Sequence, residues 1–207
     1  MMSIRIDNGL VVGNTYDKYG TNNPIAKKLM RGFLQSVQSL ATNTDARTIH
    51  EVGCGEGKLS KFLSDLGFTV RGTDVSGDVL GDAIASYPDI AFEQKSIYDL
   101  SPTEDTADMI VCCEVFEHLD NPQLALESIA NIAKNHLLVS VPREPIWRIL
   151  NVMRGKYIRN RGNTPGHLNH WSTNSFVRFL EQRFNVIRIL KPLPWTMVLC
   201  SQKETAR

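Results

Sequence analysis

Residues 50–59 read HEVGCGEGKL, a stretch that ends one apolar run, places Gly53, Gly55 and Gly57 in quick succession, and opens a segment of helical spacing. Glycine at a strand-to-helix junction permits a sharp turn and lets a ligand approach backbone N–H groups at the helix start. The same glycines would also serve a tight turn that binds nothing. Two details favour a ligand of a particular kind. The spacing is GxGxG, not the GxGxxG of dinucleotide-binding loops, and Glu51 sets a negative charge where a pyrophosphate would be repelled. The loop suits a less anionic ligand.

Around this loop, strand-like and helix-like segments alternate: RTIHEV, GKLSKFLSDLG, FTVRGTD, SGDVLGDAIASY and IAFEQKS, then ADMIVCCEV, NPQLALESIANIA and HLLVSVP. Such alternation predicts an α/β fold, a parallel sheet covered by helices. HLLVSVP, nearly all apolar, reads as a strand buried on both faces. Upstream, Pro24 opens PIAKKLMRGFLQSVQSLA, with Ile25, Leu29, Phe33, Val37 and Leu40 at helical spacing. Downstream, STNSFVRFLEQRF reads as a helix capped by Ser172 or Thr173, followed by strands NVIRILKPL and WTMVLCSQ. Only Pro192, Pro194 and their neighbours separate those strands, too little chain for a crossover helix, so they should pair antiparallel.

A chain of 207 residues suffices for one sizeable core, and a single domain over 1–207 is expected. Apolar content of 42% and charged content of 22% exclude wholesale disorder. The formal charge of +1 excludes a polyanion binder at the level of the whole chain, while leaving room for a local basic patch. Cys54, Cys112, Cys113 and Cys200 make neither a CxxC pair nor a zinc spacing, which predicts reduced thiols. No run approaches the ~20 apolar residues of a membrane span, and MMSIRIDNGL lacks a signal-peptide core, so a soluble, cytoplasmic protein is expected.

FTVRGTD ends in Asp74 at a strand tip, where a carboxylate can accept hydrogen bonds from both hydroxyls of a ribose. Asp74 could instead cap the next helix, a role for which Ser76 competes. Taken with EVGCGEGKL and the strand order, these residues resemble the class I S-adenosylmethionine-dependent methyltransferases. The resemblance is closest to the small-molecule group that includes the ubiquinone-biosynthesis O-methyltransferases, and covers residues 45–142 most strongly. It implies a Rossmann-like fold: a seven-stranded, mostly parallel sheet with the last strand antiparallel and helices on both faces. It also implies S-adenosyl-L-methionine as cofactor. Gly53, Gly55 and Gly57 would form the cofactor loop, Glu51 would lie near the ammonium group and Asp74 would hold the ribose. Val75 would lie against the adenine, Ser96 and Ile97 would border its edge, and Glu114 would border the same pocket.

CCEVFEHLDNP, residues 112–122, follows an apolar strand and so falls at the carboxyl edge of the sheet, where open α/β folds bind ligands. One helical turn from Glu114 would put Glu114, Glu117 and His118 on a common face, while Asp120 and Asn121 would start the next helix ahead of Pro122. Three readings stay open. Glu114 could cap local N–H groups with His118 merely packed, or His118 could be a general base toward an acceptor hydroxyl. Alternatively, two carboxylates and an imidazole could hold a divalent ion. EVFEH resembles the ExxEH motif of the ubiquinone O-methyltransferases and of small-RNA 2′-O-methyltransferases, which bind such an ion with a later histidine. By that resemblance Glu114, Glu117, His118 and His167 of GHLNHWS would be ligands to an ion such as Mg, with His170 as the alternative to His167.

PREPIWRILNVMRGKYIRNRGN carries Arg143, Arg148, Arg154, Lys156, Arg159 and Arg161 against the single acid Glu144, interleaved with Ile146, Trp147, Ile149, Leu150, Val152 and Met153. A basic amphipathic helix of this kind can cover an acceptor site, lie on an anionic membrane, or simply pack as a solvated lid. The resemblance places segment 143–170 above the acceptor pocket and ties it to peripheral membrane contact through 143–161. Segment 1–44, with Tyr16 and Tyr19, would form a helical lid on the other side. The expected reaction is O-methylation of a small or lipid-like acceptor; RNA 2′-O-methylation and non-catalytic cofactor binding are the alternatives.

Overall fold

In the computed structural model, residues 5–7, 10–12 and 22–203 are described. Strands β1 (Arg5–Asp7) and β2 (Leu10–Val12) pair antiparallel as a small separate hairpin. Tyr16 and Tyr19, expected in the lid, lie outside the described residues. Helix α1 (Pro24–Ala41) starts where proline's fixed φ suits a first turn, and the Asn23 side chain accepts from the N–H groups of Ile25 and Ala26. Its Met30, Phe33, Val37, Leu40 and Ala41 are buried, so this helix is part of the core over most of its length.

The alternating segments become β3 (Thr48–Val52), α2 (Lys58–Asp65), β4 (Thr69–Asp74), α3 (Gly77–Ser86), β5 (Ala91–Gln94), β6 (Ala107–Cys113), α4 (Pro122–Ile132) and β7 (Ala133–Pro142). After the insertion, which contains α5 (Ile146–Met153), come α6 (Thr173–Leu180), β8 (Phe184–Leu190) and β9 (Trp195–Gln202). The sheet has seven strands in the order β5-β4-β3-β6-β7-β9-β8. Pairs from β5 to β7 are parallel, and β9 runs antiparallel to both β7 and β8. This is the expected architecture. Strand β7 begins at Ala133, three residues earlier than HLLVSVP suggested, because Gln202 donates to the carbonyls of Ala130 and Ala133 and ties the polar Lys134–Asn135 stretch to the sheet.

Helices α1 and α2 cover one face of the sheet and α4 and α6 the other. Leu137 and Leu138, adjacent on β7, point to opposite faces and are both fully buried, one in each core layer. Truncating either to alanine would cost about 2–5 kcal/mol. His50 on β3 is equally buried: Nδ1 donates to the Asp105 carbonyl at 2.8 Å, and Nε2 accepts from the Thr73 hydroxyl at 2.9 Å. Burial holds it below its usual pKa, and it serves as a neutral rivet between strands. Among the described residues, no helix is long and apolar enough to cross a membrane.

The strand order turns back between β3 and β6, so the loops leaving these neighbours diverge to opposite faces and open a crevice at their carboxyl ends. HEVGCGEGKL leaves β3 and EVFEH leaves β6. The two stretches singled out in the sequence therefore flank one crevice.

Candidate methyl-transfer site

Within the glycine loop, the N–H groups of Gly53 and Cys54 donate to the Thr73 carbonyl at 2.7 and 3.0 Å, and that of Gly55 to Asp74 Oδ2 at 2.8 Å. These three amides are committed to the protein and are not open to a bound ligand. Gly53 has φ +77°, and a Cβ there would stand 2.4 Å from Val115 Cγ2. Only glycine lets the loop pass this close to the turn after β6. Gly57, φ +73°, is equally constrained: a Cβ would meet Phe92 at 2.7 Å just before α2 begins. The Cys54 thiol is buried and pushed well above its usual pKa, so it offers no nucleophile.

Glu51, 3% exposed on β3, accepts a hydrogen bond from the Ser60 hydroxyl of α2. Burial pushes its carboxyl up to about 8, the Ser60 bond opposes that shift, and Asp74 adds to it. Asp74 ends β4 with Oδ2 on Gly55 N–H and Oδ1 accepting from Ser76 N–H at 3.0 Å. Burial raises its pKa while those two bonds hold it back. Ser76, not Asp74, is the cap of α3, its hydroxyl accepting from Val79 N–H. Asp74 thus braces the loop from the strand tip. Val75 is 45% exposed beside it, an apolar surface at the position expected for an adenine. Ser96 caps the short helical turn Ile97–Asp99, its hydroxyl accepting from Tyr98 N–H at 3.2 Å, and the Ile97 side chain is buried in the core.

After β6 the chain turns sharply. Glu114 has φ +62°, a strained region for a side-chain-bearing residue, and its N–H donates to the Ser140 carbonyl at 3.0 Å. Its carboxylate accepts from Trp195 Nε1 at 2.6 Å and from the Ser140 hydroxyl at 3.2 Å. A single 3-10 turn, Phe116–His118, begins only after this kink. Glu114 therefore does not share a helical face with Glu117 and His118.

Among the described residues, Glu117, His118 and His167 each bring one ligand atom within 4.8 Å of the others. His118 Nε2 lies 4.0 Å from Glu117 Oε1, and the two imidazoles meet edge to face at 4.9 Å. Glu117 is 1% exposed. His118 Nδ1 donates to the Gly166 carbonyl at 2.9 Å, which puts the lone pair on Nε2. The 3-10 turn is clamped to the end of the insertion: the N–H groups of Leu168 and Asn169 both reach the Glu117 carbonyl, and Asn169 Nδ2 reaches the carbonyls of Phe116 and Leu119. Trp147 of α5 stacks on His167 at 5.9 Å and bonds Thr164 through Nε1.

The geometry agrees with comparisons to known proteins. A family model described as methyltransferase domain matches residues 25–187, most of the chain. The chain belongs to the methyltransferase domain family. Over 109 residues it is 34% identical to a ubiquinone biosynthesis O-methyltransferase of Hydrogenovibrio crunogenus, covering 49% of this chain and 43% of that protein. A protein of the same name from Cupriavidus pinatubonensis is 25% identical over 173 residues, covering 75% and 68%. In the first of these the match spans less than half of the relative's length. The fold resembles a magnesium protoporphyrin IX methyltransferase from Synechocystis PCC 6803 with bound SAH, at TM-score 0.67, 20% identity, and coverage of 89% and 90%.

Of the expected site residues of this methyltransferase domain, Glu51, Gly53, Gly55, Gly57 and Asp74 form one connected loop system, and Glu117, His118 and His167 a second cluster. Glu114 stands apart from the second cluster, contrary to the four-ligand expectation, because its positive φ turns the carboxylate onto Trp195 and Ser140. His170 is also outside the cluster and faces Glu144 at 3.7 Å. Sequence reasoning missed Trp195, Ser140 and Asn169. Their only signal is position: Ser140 lies near the end of β7 and Trp195 begins the antiparallel β9, so both reach the edge where the site sits.

Proposed function

We propose that this domain transfers the methyl group of S-adenosylmethionine to a hydroxyl oxygen of a small or lipid-like acceptor. The observation that carries this reading is the pairing of two side-chain systems on one crevice: the loop braced by Asp74, and the Glu117–His118–His167 cluster. The first fits a cofactor with a ribose and a cationic amino acid end, through Asp74, exposed Val75 and the buried acid Glu51. The second suits work on an acceptor proton. With Nδ1 donating to Gly166, His118 presents a basic nitrogen, and Glu117 beside it can balance the charge the imidazole gains. Transfer itself demands mainly that oxygen and methyl be held in line.

The cluster's donor set, one carboxylate and two imidazoles, also fits a divalent ion. Donors bonded to one ion at about 2.1 Å stand at most about 4.2 Å apart, so the set needs only a small contraction. Glu117, His118 and His167 would hold it. Two imidazoles favour a borderline ion such as Mn or Zn over Mg, which prefers oxygen. Such an ion would lower the pKa of a bound hydroxyl. Glu114 is left out of the set.

The acceptor side is covered by the insertion. Helix α5 turns Trp147 inward toward His167 and exposes Ile149, Val152 and Met153, beside Arg148 and Arg161 along a shallow groove. An apolar face ringed by cations suits an anionic membrane surface, from which a lipid-like acceptor could be drawn.

Calorimetric titration with S-adenosylhomocysteine tests the cofactor half. Binding is expected, and Asp74→Ala should weaken it at least about tenfold, the scale of losing a charge-assisted hydrogen bond. A methyl-donor turnover assay across phenols, lipids and short RNAs, with and without chelator, tests the rest. Turnover on RNA alone, or on no hydroxyl compound, would overturn the proposed acceptor class.

A further inference from the structure

We propose that Asp105 and the His50–Thr73 pair are positioning residues: they tie the glycine loop and the segment expected to border the adenine to one buried anchor, and so hold the two walls of the adenosine pocket in register. The inference rests on the cofactor reading above. Thr73 precedes Asp74 on β4, and its carbonyl accepts from both Gly53 and Cys54 of the loop. Its hydroxyl donates to His50 Nε2 at 2.9 Å, and His50 Nδ1 donates to the Asp105 carbonyl at 2.8 Å. From the other wall, Lys95 Nζ meets the Asp105 carboxylate at 2.9 Å and the Ser101 N–H donates to it at 2.6 Å. Lys95 directly precedes Ser96 and Ile97, and its own N–H donates to the Asp74 carbonyl at 2.9 Å. Both walls thus end on one side chain that is closed to solvent, and hence to the cofactor.

Three observations carry this arrangement beyond packing. His50, Thr73 and Asp105 are all 0% exposed, and polar side chains so placed give up hydration that apolar residues of like size would not miss. Their register is the second. His50 pairs with Arg71 and Val52 with Thr73, so His50, Arg71 and Thr73 share one face of the sheet, the face onto which segment 101–105 is bonded. Arg71 strengthens that clamp, with Nη1 on the Glu104 carbonyl at 2.7 Å and Nη2 3.2 Å from Asp105 Oδ1. The third is direction. A carbonyl can only accept, so His50 Nδ1 carries the proton and Nε2 must take the Thr73 hydroxyl, which pins the residue whose carbonyl receives the loop. A pocket whose walls are fixed before the ligand arrives spares binding the cost of ordering them. Breaking the ties should therefore lower affinity without removing any contact to the ligand.

The test is the affinity for S-adenosylhomocysteine, by calorimetry on the full chain, with melting temperatures measured alongside. Thr73→Val keeps the volume and removes the hydroxyl; Lys95→Met keeps the stem and removes the ammonium group. Each should weaken binding about fivefold, within the span over which residues off a ligand modulate its site. Thr73→Ser and Lys95→Arg restore the hydroxyl and the cation, and should bind within about twofold of wild type. The serine variant lacks a buried methyl group and should still melt lower than wild type, so that affinity and stability come apart. In the double variant Thr73→Val with Lys95→Met the loss should be smaller than the product of the two single losses, since both act through Asp105. The Lys95 side chain is 15% exposed, and its two variants serve if Thr73→Val fails to fold. Unchanged affinity in Thr73→Val or Lys95→Met, a loss in Thr73→Ser equal to that in Thr73→Val, or a double-variant loss equal to the product would overturn the proposal. Failure of wild type to bind S-adenosylhomocysteine would instead remove the cofactor reading, and this inference with it.

Discussion

His118 and Gly166 are joined by a hydrogen bond of 2.9 Å across 48 positions of sequence, from imidazole Nδ1 to a backbone carbonyl. A carbonyl can only accept, so this bond fixes the proton on Nδ1 and the basic lone pair on Nε2, the nitrogen nearest Glu117. It also explains why the end of the insertion belongs to the site. Leu168 and Asn169 grip the Glu117 carbonyl in the same stretch, so the segment carrying His167 is held against the 3-10 turn by backbone and amide bonds. The imidazole chemistry is built on a clamp between two loops.

The first prediction concerns which residues form that cluster. In titrations with Mn2+ alone, Glu117→Gln and His167→Gln should each weaken binding at least about tenfold, the usual scale for disturbing a metal site. Glu114→Gln should leave Mn2+ binding within about twofold of wild type, because Trp195 and Ser140 hold that carboxylate away from the cluster. Equal loss in all three variants would restore the four-ligand arrangement. Affinity for S-adenosylhomocysteine should stay within about twofold in Glu117→Gln and His167→Gln, since neither residue belongs to the loop system.

A second prediction tests the close approach of the two loops. Gly53→Ala places a Cβ 2.4 Å from Val115 Cγ2 and a side chain at φ +77°. The left-handed conformation alone costs roughly 1–2 kcal/mol. A fall in Tm of at least about 3 °C is expected by calorimetry, given that 1 kcal/mol shifts a domain of this size by about 2–4 °C. Adding Val115→Ala removes the contact but not the backbone strain, so the double variant should recover only part of the loss.

The parts legible in the sequence are those where local pattern and global fold agree. Alternating periods and the short gap before Trp195 dictated the sheet, because neither a helix nor a crossover fits the available chain. The loop HEVGCGEGKL announced itself through glycines that only a close approach explains. Glu114 was misread for a definite reason: an i, i+3, i+4 pattern presumes helical backbone, and the chain at Glu114 instead enters positive φ. Nothing local signals that turn. It depends on Ser140 and Trp195, contributed by strands far along the chain. The polar start of β7 was hidden in the same way, its partner being Gln202 at the far end of β9.

A third prediction addresses the insertion. Met153 is 76% exposed, with Ile149 and Val152 beside it, and arginines border the same groove. The full chain should cosediment with vesicles containing phosphatidylglycerol and not with pure phosphatidylcholine vesicles, and raising salt should release it. The double substitution Ile149→Glu with Met153→Glu should weaken that association at least about fivefold, since it removes apolar contact and about 1 kcal/mol of attraction is at stake for each charge near the surface. Association with neutral vesicles of equal strength would point to apolar insertion alone, and none with either would remove membrane contact from the proposed function.

The fourth prediction follows from Glu51. Its carboxyl is pushed up to about 8 by burial, against the ordinary 4.5, with Asp74 adding to the shift and Ser60 opposing it. A raised carboxyl binds its proton more tightly in the folded state than in the unfolded one, so the folded protein keeps a proton that the unfolded chain has lost between those two values. The stability this gives is fully present below pH 4.5 and drains away as pH rises toward 8, where burying the charged form is penalised. Melting curves of the ligand-free protein should therefore decline from pH 6 to 9, and Glu51→Gln, neutral throughout, should flatten that decline. Binding reverses the situation. The cofactor's ammonium group, placed near Glu51, favours the carboxylate, so binding at pH 7 should release a proton from this residue. Calorimetry of S-adenosylhomocysteine binding in buffers of different ionisation enthalpy reads that proton directly: the apparent heat should vary with the buffer in wild type and much less in Glu51→Gln. A wild-type heat that does not depend on the buffer would mean that Glu51 keeps its charge state on binding and does not meet the ammonium group.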